Sequence, residues 1–120
     1  TVLVIDDQDS VRKVARAMLE RLGYQVLSAR DGAEGLEVFQ ENTGAVQAVI
    51  SDLSMPRMNG WETLTALRAL RPELPVILAS GYDETRAMPE AQAEQPQAFL
   101  AKPFGLKTLK QTLENVLGGE

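Results

Sequence analysis

Short apolar runs, too brief for helices, recur along this chain, each followed by a stretch whose apolar residues fall at helical spacing. That alternation constrains the fold more than any other feature. Thr1–Ile5 (TVLVI) is β-branched and apolar on both faces, as suits a central parallel strand covered by helices. Asp6 to Ser10 breaks the run, and Asp9 or Ser10 is expected to cap a helix with the stripe Val11, Val14/Ala15, Met18 and Leu22. Gly23 should end that helix, with a second strand over Tyr24–Leu27. After the Asp31–Gly32 turn, Ala33, Leu36 and Phe39 form one helical face that Gly44 closes. A third strand covers Ala48–Ser51 and stops at Asp52; the following helix carries Trp61, Leu64, Leu67 and Leu70, bracketed by Pro72 and Pro75. Val76–Ala79 and Ala98–Ala101 read as strands, and Leu106, Leu109, Leu113 and Val116/Leu117 mark a closing helix. Between those two strands, DETRAMPEAQAEQPQ has little to bury, so a short helix over roughly 88–94 is expected there, with Pro89 near its start.

Strands alternating with helices imply βαβ units: an α/β, three-layer, doubly wound sandwich around a five-stranded parallel sheet. The preferred order is 2-1-3-4-5, which puts the topological switch between strands 1 and 3; periodicity alone does not fix it. With 120 residues and 44% hydrophobic side chains, a single domain over 1–120 with its own core is expected. Thr1 is not an initiator methionine, so the chain is expected to have been trimmed or excised from something longer. Zero cysteines exclude disulfide scaffolds, thiol catalysis and cysteine-bound zinc. Zero histidines exclude a serine–histidine triad, and mean that this chain cannot itself donate a phosphoryl group from histidine. A net charge of -5 argues against direct nucleic-acid binding, and no apolar run reaches the roughly 20 residues of a membrane span. A cytoplasmic location is expected.

The polar residues fall at the same ends of successive strands. Asp6 and Asp7 follow strand 1, Asp52 ends strand 3, Ser80 ends strand 4 and Lys102 follows strand 5. Taken singly, each has a plain explanation: a turn, a helix cap, a loop serine, a surface lysine. In a parallel sheet, however, all five positions share the carboxyl edge, where crevices form at a topological switch. Three carboxylates in one crevice repel unless a cation neutralises them, and a ligand set of oxygen alone favours Mg²⁺.

VLVIDDQDSVR at 2–12, GYQVLSARDG at 23–32, SDLSMPRMNG at 51–60, PVILASGY at 75–82 and FLAKPF at 99–104 together resemble the receiver domain of bacterial two-component response regulators. The resemblance covers essentially the whole chain and implies a flavodoxin-like (βα)5 fold. It also implies a phosphoacceptor at Asp52, with Mg²⁺ held by Asp6, Asp7, Asp52 and the backbone carbonyl of Ser54. Ser80 falls on the family's switch hydroxyl, Lys102 on its lysine and Phe99 on its rotating aromatic. The donor would be a histidine kinase or histidine phosphotransfer domain, and a second receiver copy is a candidate partner. Output would come from the surface of the fourth predicted helix, strand 5 and the closing helix. Such a domain catalyses its own phosphorylation and dephosphorylation without being a conventional enzyme. The chemistry agrees: a carboxylate can attack phosphorus, Lys102 can meet a phosphoryl oxygen as a point charge, and Ser80 can donate to another. Ser54 and Tyr82 should border the mouth of the site, and Lys102–Pro103 is expected to be cis so that the ammonium turns back into it.

Some residues depart from the family pattern. Asn59 stands where many members have Asp, Ser80 where threonine is commoner, and Gln95–Pro96 where many have Gly-Ala. The Ser80-Gly81-Tyr82 triplet, with the missing Gly-Ala, looks most like receivers at the carboxyl end of hybrid sensor histidine kinases. Three alternatives come from other classes. A Mg²⁺-dependent aspartyl-nucleophile phosphatase would ordinarily carry an acid where Ser54 stands. A flavin carrier would not place DDQDS in its phosphate loop. A degenerate receiver binding partners without phosphorylation would not need the acidic triad and its lysine.

Overall fold

A computed structural model of the chain describes residues 1–52, 60–80, 98–101 and 104–117, the side chains of Ser80 and Ala101 excepted. Within these residues lie β1 (Val2–Ile5), α1 (Asp9–Arg21), β2 (Val26–Ala29), α2 (Gly32–Glu41), β3 (Ala48–Asp52), α3 (Gly60–Leu70), β4 (Val76–Ser80), β5 (Ala98–Ala101) and a closing helix α4 (Leu106–Val116). The short helix expected over 88–94 lies outside the described residues. The strands are parallel and run in the order β2-β1-β3-β4-β5, with the reversal between β1 and β3.

Strand pleating divides the core into two layers. Leu3 and Ile5 of β1 face one way and pack with Phe39 of α2 and Leu64 and Leu67 of α3. Val2 and Val4 face the other way, onto Ala15 and Leu19 of α1 and Leu109 and Leu113 of α4. All of these side chains are at most 3% exposed, so each large one contributes about 1.5–3 kcal/mol of burial relative to exposure. That two-sided cover explains why β1 reads as a continuous apolar run rather than an alternating one.

Several boundaries differ from expectation, each for a local reason. Helix α1 has Gln8 as its N-cap, without a side-chain cap bond, because Asp9 is already inside the helix and pairs with Arg12. Its buried residues are Ala15 and Leu19, while Val14 is 56% exposed, so the apolar stripe sits one position round from the predicted one. At its C-terminus, Gly23 adopts φ 97° and donates to Glu20, while Tyr24 donates to Leu19. This paired closure occupies the Tyr24 amide, so β2 begins at Val26 and not at Tyr24. Helix α2 stops at Glu41, ahead of Gly44, with Asn42 as its C-cap donating from its side chain to Val38 O at 2.9 Å. In α3 the inward positions are taken by Thr63, Leu64, Leu67 and Arg68, leaving Leu70 47% exposed. The Arg68 Nε donates to Leu74 O at 2.8 Å, which is how a buried guanidinium is accommodated on that face.

Candidate functional site

Register brings the acidic residues together. Ile5 is aligned with Ser51, so the next residues, Asp6 and Asp52, leave adjacent strands at one level. Asp52 is aligned with Ala79, and Ser80 with Ala101, which puts Ser80 one step further along the same edge. Carboxylate oxygens of Asp6, Asp7 and Asp52 lie within 4.8 Å of one another. Asp6 and Asp52 are only 3% and 5% exposed whereas Asp7 is open to solvent, so the cluster is a crevice with one wet side.

The loop that carries the first two carboxylates is braced from several directions. Asp6 N donates to Ala29 O at 3.1 Å, which continues the β1–β2 pairing one residue beyond the strand. Gln8 N donates to Asp6 Oδ1 at 2.9 Å, so the carboxylate turns its own loop. Arg12 reaches back from α1, donating to Asp6 O and pairing with Asp9. On the third strand, Ser51 Oγ donates to Asp52 O at 3.1 Å. Behind the site, Gly35 of α2 lies so close to Ile5 that a Cβ would overlap Ile5 Cδ1 and stand 2.9 Å from Cγ1.

These residues suit a hard divalent cation. The donors are all oxygen, and Mg²⁺ takes ligands at about 2.0–2.1 Å, so opposing ligands stand roughly 4 Å apart, comparable with the spacing found. An ion held on the open side of Asp7 would keep some of its waters, as Mg²⁺ ordinarily does.

The family model described as "Response regulator receiver domain" matches residues 2–114. The chain belongs to the response regulator receiver family. The receiver is 39% identical over 117 residues to the sensor kinase CckA of Brucella abortus (strain 2308), covering 98% of this chain and 12% of that protein. It is 32% identical over 120 residues to the chemotaxis protein CheY homolog of Campylobacter jejuni (strain 81-176), covering 98% of this chain and 92% of that one. Among solved structures, a response regulator receiver domain protein from Clostridium thermocellum superposes with a TM-score of 0.90 at 30% identity, over 98% of this receiver and 94% of that chain. Receivers are signalling modules of two-component systems rather than conventional enzymes, and the five-stranded 2-1-3-4-5 sheet is the family's architecture.

Of the residues singled out from sequence, Asp6, Asp7 and Asp52 converge, and Ser80 stands on the same edge by register. Phe99 is half-buried on β5 and packs edge-on against Trp61, ring centroids 5.9 Å apart and planes 61° apart. Ser54, Tyr82, Lys102 and Pro103, including the expected cis bond, lie outside the described residues. Two neighbours of the site escaped the sequence reading. Trp61 reads as an ordinary stripe residue until the fold sets it against Phe99. Arg12 closes the VLVIDDQDSVR motif without a role in the sequence reading, although its three-residue spacing from Asp9 was an available signal.

Proposed function

We propose that this receiver is the phosphoacceptor of a phosphorelay, taking a phosphoryl group onto Asp52 from a phosphohistidine of a kinase or phosphotransfer domain. The observation that carries the reading is the convergence of Asp6, Asp7 and Asp52 at the carboxyl edge of the sheet, in a chain of the receiver family. An Asp52 oxygen attacks phosphorus; the new O–P bond of the acyl phosphate forms as the N–P bond to the donor imidazole breaks. Asp6, Asp7, Asp52 and the carbonyl of Ser54 would hold Mg²⁺, which when bound offsets the charge on the phosphoryl oxygens. Lys102 meets one of those oxygens as a point charge, and Ser80 donates to another. From the family resemblance, Tyr82 and Ser54 would border the site and govern access of the water that later hydrolyses the acyl phosphate.

Coupling to output follows from Phe99. Movement of Ser80 toward the phosphoryl group frees space into which the Phe99 ring turns, re-shaping the surface of the 83–97 segment, β5 and α4. The half-buried ring stands on β5, in contact with Trp61 and against the core, where a change of its position alters the surface of that strand. The 39% identity to a sensor kinase supports a hybrid-kinase parent. Incubation with acetyl phosphate and Mg²⁺ followed by intact mass measurement tests the function. One labile phosphoryl increment is expected in the parent protein and none in Asp52→Asn; full labelling of Asp52→Asn, or no labelling of the parent, contradicts the reading.

A further inference from the structure

The acidic loop has a positive brace outside the crevice, at the last residue of the VLVIDDQDSVR motif, to which no role has been given so far. Arg12 lies on the first turn and a half of α1 with its side chain only 14% exposed, although its partner Asp9 is 78% exposed. Its guanidinium divides between the backbone carbonyl of Asp6 and the carboxylate of Asp9. A peptide group is planar, so holding the Asp6 carbonyl also sets the direction of the Asp7 N–H and the position of the Asp7 Cα, from which one backbone rotation aims the side chain. Asp6 has other anchors: its amide is bound to Ala29 O, its carboxylate to Gln8 N, and it is buried. Asp7 is exposed, and its orientation depends more heavily on the peptide that precedes it.

We propose that Arg12 is a positioning residue for the acidic site, fixing the Asp6–Asp7 peptide so that the Asp7 carboxylate is aimed at the cation. This deepens the proposed function and rests on Mg²⁺ occupying the Asp6–Asp7–Asp52 cluster. Two physical effects of Arg12 have opposite signs, which makes the inference testable. As a nearby positive charge, Arg12 weakens cation binding, and its removal would tighten Mg²⁺. As a brace, it pre-organises one ligand, and its removal loosens Mg²⁺. The planar fork can serve a carbonyl and a carboxylate together, whereas a lysine ammonium is a point charge on a flexible stem.

The experiment compares the parent with Arg12→Gln and Arg12→Lys by Mg²⁺ titration calorimetry, with amide spectra of the metal-free proteins and thermal unfolding alongside. Arg12→Gln should bind Mg²⁺ roughly tenfold more weakly, the low end of what outer partners of metal ligands contribute. Arg12→Lys, charge unchanged, should also weaken binding. In both variants the Asp7 and Gln8 amide signals should shift without metal, and excess Mg²⁺ should restore phosphorylation from acetyl phosphate to nearly the parent rate. Unchanged or tighter Mg²⁺ binding by folded Arg12→Gln overturns the brace, as does a loss of thermal stability with no change in affinity. Failure of the parent itself to bind Mg²⁺ would instead overturn the site reading on which the brace depends.

Discussion

Gly35→Ala should test whether the helix that backs the site is packed as tightly as the structure indicates. A methyl at Gly35 would overlap Ile5 Cδ1 and lie 2.9 Å from Cγ1, and Ile5 is fully buried immediately before Asp6. On helix propensity alone, Gly→Ala within α2 should stabilise by about 0.8–1.0 kcal/mol. Overpacking costs about 1–3 kcal/mol, so the net effect should be a loss of up to ~2 kcal/mol. Ile5→Val alone removes the overlapping Cδ1 and should cost about 0.5–1.5 kcal/mol. In the Ile5→Val background, however, Gly35→Ala loses the Cδ1 overlap and meets Cγ1 at 2.9 Å, so its cost should be smaller and close to neutral. The two changes should therefore couple by about 1–2 kcal/mol, within the range found for residues in contact. Urea unfolding of the four proteins reads this directly as midpoint shifts at constant slope. Additive effects, or a Gly35→Ala protein that is stabilised in the parent background, would refute the close approach of α2 to β1.

Asp31→Ala should destabilise by about 0.5–2 kcal/mol, because Asp31 Oδ1 accepts from Glu34 N at 2.8 Å as the N-cap of α2; a change below a few tenths in urea unfolding would contradict the cap. Trp61 is the chain's single tryptophan and touches Phe99, so its emission should report movement of that ring. Adding beryllofluoride, a mimic of the acyl phosphate, to the Mg²⁺-loaded protein should change the emission clearly in the parent and far less in Phe99→Ala; equal responses would remove Phe99 from the switch.

Legibility from sequence follows burial and separation. β1, β3 and β4 were readable because their apolar residues are covered on both sides, and an apolar run of that length cannot satisfy a helix. The acidic residues were readable for the same reason, since a carboxylate directly after a buried run marks a strand end. β2 was displaced by two residues because the αL closure at Gly23 extends the end of α1 through Tyr24, a backbone requirement that composition does not reveal. Leu19 was overlooked in favour of its neighbour Met18 because both continue a helical spacing, and only the position of the sheet decides which faces inward. The pairing of Arg12 with Asp9 was within reach of spacing, but its contact with the site was not, since that partner is a main-chain carbonyl, which no side-chain pattern encodes. Gly35 was equally hidden, since its need for close approach exists only once α2 lies on Ile5.

The most direct test of the central claim is to locate the phosphoryl group. Protein labelled with acetyl phosphate and Mg²⁺ can be trapped with borohydride, which reduces an aspartyl phosphate to homoserine, and then digested for peptide sequencing by mass spectrometry. Homoserine at position 52, formed only with Mg²⁺, is the result expected of a nucleophile beside an acidic cation site. Homoserine at Asp6 or Asp7, or a borohydride-resistant phosphate on Ser80, would contradict it.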